Sequence, residues 1–134
     1  MDHTQRQEHA ARNIADVYTA HIRDERLRAL AHQLMVGVLL SPNSTERLFA
    51  TYDAVESMGT MSLDQVKQYY VDRYLNPVEI NGKRYANGEE YMRAQRGDIL
   101  DEPEGDREVI LKTWASVDRY ADACTEIALA LQAL

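Results

Sequence analysis

Apolar positions recur along this chain with a helical period over most of its length, and the pattern is most regular near its end. From Asp106 to Leu134 there is no Gly or Pro, and Ile110, Trp114, Val117, Ala121, Cys124, Ala128 and Leu131 follow one another at alternating steps of four and three. A spacing of about 3.5 residues puts these side chains on one stripe of an α-helix, the arrangement of a helix that lies along another. At about 1.5 Å per residue such a helix is roughly 43 Å long, against a diameter of about 36 Å for a compact chain of this length. The pattern therefore predicts an elongated bundle or a partner. One such partner is a second copy of the chain, admitted to close approach by the small Ala121, Cys124 and Ala128.

Upstream, Thr4 with Gln7 three residues later reads as a capping box, and Ala11, Ile14, Tyr18 and Ile22 step by threes and fours, predicting a first helix to about His21. The cluster Arg23 to Arg26 is either a break capped by Asp24 or a charged turn within one long helix. Leu27, Leu30, Ala31, Leu34, Met35 and Val38 then predict a deeply buried helix, ended by Ser41 and Pro42. Asn43 with Glu46 opens a third helix carrying Leu48, Phe49, Tyr52 and Val55, with Gly59 as its left-handed stop. Ser62 with Gln65 opens a fourth, which must finish by Asn76 because Pro77 disfavours helical backbone in the residue before it. An Asn-Gly pair within Pro77 to Tyr85 signals a tight hairpin near residues 78–86. Asn87 caps a brief helix stopped at Gly97, and an acidic connection interrupted by Pro103 leads to the last helix. The expected fold is mainly α: a single domain over 1–134, a bundle of about six helices with one small β-hairpin, and the C-terminal helix packed on the helix of Leu27 to Val38.

Composition narrows the partner. With 134 residues, 45% of them hydrophobic, the chain can bury one core. A net charge of −7 argues against direct binding to nucleic acid or to an anionic membrane surface, and allows a basic protein partner. The negative excess lies mostly in the second half of the chain. The longest apolar run, Leu34 to Leu40, is far too short to span a bilayer, and the polar start has no hydrophobic region resembling a secretion signal. The lone Cys124 cannot form an intramolecular disulfide, which fits a reducing compartment, and a cytoplasmic protein is expected.

The motifs of catalysis are absent from the sequence. The four histidines all lie in the N-terminal quarter with no spacing that converges two imidazoles, and paired-cysteine motifs are missing, so no metal or other cofactor is expected. There is no Gly-x-Ser-x-Gly elbow and no Gly-rich phosphate loop, and Cys124 stands mid-helix between acidic neighbours, a poor setting for a thiolate. Two stretches remain. Lys67 to Gly97 interleaves tyrosines with basic groups, and Tyr70, Arg73, Tyr74, Arg84, Tyr85 and Tyr91 are the residue types that dominate protein interfaces; they also stack on bases, and the plainer alternative is that half of the tyrosines pack the core with their hydroxyls at its rim. Directly after it, Asp98, Asp101, Glu102 and Glu104 belong to a run of six acidic groups in residues 98–108 set against Arg107 alone, a charge able to occupy a site built for phosphate or simply to favour a helix N-terminus.

The segment from Asn76 to Arg96 resembles the signature of the NADAR family of N-glycosidases, in which a hairpin Gly and Tyr precede a helix bearing a Glu and ending in Ala-Gln-Lys. Gly82, Tyr85, Glu89, Tyr91, Ala94 and Gln95 carry the likeness, with Arg96 in place of the Lys and Glu90 in place of the family's His. The resemblance implies that Glu89 acts in cleaving an N-glycosidic bond, with a concave pocket beside Tyr85. Weighed against the missing catalytic motifs, it stands second. The leading expectation is a small acidic, non-catalytic protein that binds another macromolecule, as inhibitor, adaptor or immunity-type module. Its partner would be a protein with a basic or nucleic-acid-binding surface. A third reading is a protein that binds or sequesters a nucleotide between the tyrosines.

Overall fold

A computed structural model describes residues 2–41, 44–97, 99 and 102–134 of the chain. These form six helices and a two-stranded antiparallel hairpin in the order α1 (His3–Thr19), α2 (Glu25–Leu40), α3 (Thr45–Thr60), α4 (Leu63–Tyr74), β1 (Val78–Ile80), β2 (Lys83–Tyr85), α5 (Gly88–Ala94) and α6 (Glu104–Gln132). The fold is mainly α, with the expected hairpin and a long C-terminal helix. Among the described residues, no helix is long and apolar enough to cross a membrane.

Local chemistry sets most boundaries. Asp24 accepts a hydrogen bond from the Leu27 amide at 3.0 Å and starts α2, so the charged cluster is a true break; Arg28 locks the turn by donating to the Ile22 carbonyl. Ser62 and Gln65 form a reciprocal capping box on α4. In the hairpin, Asn81 and Gly82 both have positive φ (53° and 76°), the backbone of the tight turn their sequence favours, and Val78, Glu79 and Ile80 face Tyr85, Arg84 and Lys83.

Other boundaries differ from those expected. α1 starts earlier, with Asp2 and Gln5 forming its capping box rather than Thr4 and Gln7. The cap of α3 is Ser44, whose hydroxyl accepts from the Arg47 amide; Pro42 and Asn43 lie outside the described residues. Gly59 does not stop α3, which runs on through Thr60. It stands inside the last turn because the His21 ring rests where its Cβ would be. α5 ends at Ala94 rather than at Gly97, and α6 begins at Glu104 behind Pro103.

The core is centred on α2, α3, α4 and the C-terminal half of α6, with Leu27, Met35, Met58, Val66 and Leu131 among its fully buried side chains. α6 packs on α3 and α4, whereas α2 packs on α1 and α3. The expectation that the last helix lies along α2 is thus corrected: α3 separates them, and a groove of about 310 Å³ lined by Leu34, Gly37, Ala123, Ile127 and Ala130 opens between them. α1 meets the bundle through its small residues, Ala11, Ala15 and Thr19, leaving Ile14, Val17 and Tyr18 substantially exposed.

Candidate interaction surface

α6 is one continuous helix of 29 residues with two unlike halves. Ala121, Ala123, Cys124, Ile127, Ala128 and Leu131 are buried, but none of residues 104–120 is. The expected seam therefore holds only from Ala121 onward. Ile110 and Trp114 are half-buried, Val117 is 46% exposed, and Val109 and Leu111 are 64% and 51% exposed.

Polar contacts, rather than apolar packing, fix the first half. Glu46 of α3 accepts from Ser116 and from Arg119, both at 2.8 Å, and these bonds hold its carboxyl down at about 2, Arg119 contributing most. Tyr120 donates to Asp53 at 2.6 Å, and desolvation with that hydrogen bond raises its phenol well above the ordinary range. On the opposite flank, Arg93 and Arg96 converge on Asp118, and the Arg96 guanidinium lies 5.3 Å from the centre of the Trp114 ring. Arg96 is the main reason the Asp118 carboxyl titrates low. Between these ties Val109, Leu111 and Val117 stay exposed; Val117 lies on the same stripe as Cys124 but has no element packed over it.

The tyrosine and arginine residues singled out in the sequence divide into internal and external sets. Tyr70 and Tyr74 are buried, their rings stacked 6.0 Å apart, and desolvation raises both phenols. Arg73 lies over Tyr74 and donates through Nε and Nη2, each at 2.8 Å, to Glu89 Oε1, so these groups are engaged in joining α4 to α5. Tyr85 and Tyr91 meet edge to face at 5.2 Å, with Lys83 over the Tyr85 ring. Arg84 is exposed on β2 opposite Glu79. Glu102 and Glu104 are exposed at the entry to α6, whereas Asp98 and Asp101 lie outside the described residues.

Glu89 is nearly buried and bound to Arg73, an arrangement that holds its carboxylate in place. Burial raises the Cys124 thiol, the opposite of nucleophile activation. Among the described residues, no three His, Cys, Asp or Glu side chains are grouped to hold a metal ion.

The exposed apolar residues of α6 are what the sequence reading missed. Its seam placed Val117 inward and left Val109 and Leu111 unassigned. Leu111 lies about 100° around the helix from Ile110. An apolar residue off the stripe was the available signal. No protein-family model matches the chain, and neither a curated protein nor a solved structure matches it, so the likeness of residues 76–96 to the N-glycosidases has no family-level match behind it.

Proposed function

We propose that this is a non-catalytic interaction module, of the inhibitor, adaptor or immunity type, that binds another protein through the N-terminal half of α6. The observation that carries the reading is the contrast within that helix. Its second half buries six residues and exposes Leu129, while its first half buries none and leaves Val109, Leu111 and Val117 exposed beside half-buried Ile110 and Trp114. The partner favoured by charge is a basic amphipathic helix. Glu102, Glu104 and Asp106 crowd the start of α6 beside Arg107, while Glu108 is paired with Lys112, so a cationic flank gains attraction while an apolar stripe covers the valines. Arg84 and Tyr85 on the hairpin, with Tyr91 on α5, are the further residues assigned to binding in this reading. The lone cysteine supports a reducing, cytoplasmic setting.

Trp114 is the protein's one tryptophan and lies within this half-helix, so its emission reports on it. Titration with a synthetic helical peptide bearing a leucine stripe and Lys/Arg flanks should shift that emission to the blue. The same stripe with Glu flanks should bind at least about tenfold more weakly, a difference of about 1.4 kcal/mol. Joint replacement Val109→Ser and Val117→Ser should abolish the shift. Equal binding of the two peptides, or binding untouched by the double replacement, would overturn the reading. A doubled mass in solution that the same replacements return to a monomer would identify a second copy as the occupant instead.

A further inference from the structure

Away from α6, on the face where α1 meets α3, a cavity of about 200 Å³ is lined by Tyr18, His21, Tyr52, Val55 and Glu56. We propose that this cavity binds a methylated ammonium group, such as the head of choline or a trimethylated lysine side chain.

Four observations meet there. The Tyr18 and Tyr52 rings stand 5.2 Å apart at 60°, so they form two tilted aromatic walls rather than a closed parallel stack. The face of an aromatic ring carries negative quadrupole density, which attracts a diffuse cation, and methyl groups let that cation shed its water cheaply. Val55, buried in the core, gives an apolar floor for those methyls. Glu56, at the rim, is exposed and has no ion-pair or hydrogen-bond partner among the described residues, leaving its carboxylate available to a positive charge. The fourth wall is the imidazole of His21, set against the α3 backbone because Gly59 offers no side chain to push it away.

The ligand class follows from the mixture. A primary ammonium is strongly hydrated and would lose more water than two rings and one carboxylate replace, whereas a neutral ligand of the same shape gains nothing from Glu56. The cavity's size suits one small headgroup. Its ring pair also joins helices distant in sequence, so occupancy would tie α1 to α3.

The test is calorimetric titration at pH 8 with choline, with its neutral isostere 3,3-dimethylbutanol, and with a peptide carrying a trimethylated lysine. Choline or the peptide should bind at least about tenfold more tightly than the neutral alcohol. Tyr18→Leu, at a half-exposed position whose replacement leaves the core intact, should remove that preference, and Glu56→Gln should weaken binding severalfold while leaving the thermal midpoint unchanged. Tighter binding of the peptide than of choline would assign the site to a methylated protein tail; equal binding would assign it to a small molecule. Equal affinity for choline and the alcohol, or unaltered choline binding in Tyr18→Leu, would overturn the proposal.

Discussion

The two halves of α6 share one unbroken hydrogen-bonded backbone and meet their surroundings by opposite means. From Ala121 onward, small and branched side chains are enclosed by α3 and α4, and stability comes from apolar area removed from water. Before Tyr120, the helix is held by carboxylates and guanidinium groups on its flanks, with Ile110 and Trp114 half-buried and Val109, Leu111 and Val117 left exposed. Periodicity along the sequence is the same in both halves. A stripe marks what a helix is able to bury, and the elements that fold back onto it decide how much of that happens within one chain.

The largest expected effect lies in the enclosed half. Leu131→Ala should lower the unfolding free energy by about 2 to 5 kcal/mol in chemical denaturation, since a fully buried leucine leaves a cavity. A loss below about 1 kcal/mol would show that the two halves are alike. Next comes the ion pair that anchors α5 to α4: Arg73→Ala should cost about 2 kcal/mol, because Glu89 stays nearly buried without its donor, and Arg73→Ala combined with Glu89→Gln should recover part of that loss. Gly37→Ala should act the other way. A Cβ there meets open space on the groove beside Ala123 and Ile127, so the change should stabilise by about 0.5 to 1 kcal/mol through helix propensity. In the outward half, Val117→Ser should change stability by no more than about 0.5 kcal/mol while altering any binding that α6 supports.

The smallest effect is one of pH. Glu46 has its carboxyl lowered from 4.5 to about 2, so its contribution is complete above pH 4.5 and is lost as the pH falls toward 2. Thermal midpoints of the native protein and of Glu46→Gln should therefore differ at neutral pH and converge near pH 2. Parallel curves down to that pH would remove Glu46 from the ties that hold the outward half.

Much of the fold was legible because local chemistry decided it. Ser62 and Asn87 each cap the helix that their position announces, Asp24 turns out to be the cap in a cluster whose sequence allowed either a break or a continuous helix, and the Asn81-Gly82 turn needs only its two residues to be recognised. What escaped depended on contacts between segments. Gly59 looks like a helix stop until the His21 ring is seen lying against it. Tyr70, Arg73 and Tyr74 have the composition of an interface, yet the first and last are buried and the middle one is bound to Glu89, sixteen residues further on. The ring pair of Tyr18 and Tyr52 joins helices that no local pattern connects. Hydropathy alone could not divide α6 into its halves, since that division depends on where α3 and α4 run out of surface to cover it.

The narrow footing of α1 sets the order in which the molecule comes apart. A helix seated through two alanines and a threonine buries less oily surface than one seated through leucine and methionine, so its amides should exchange with solvent hydrogen at a lower free-energy cost than those of α2 or α3. The N-terminal helix should thus be the first cooperative unit to open. Its departure uncovers the flank of α2 it had shielded before the remaining helices begin to separate.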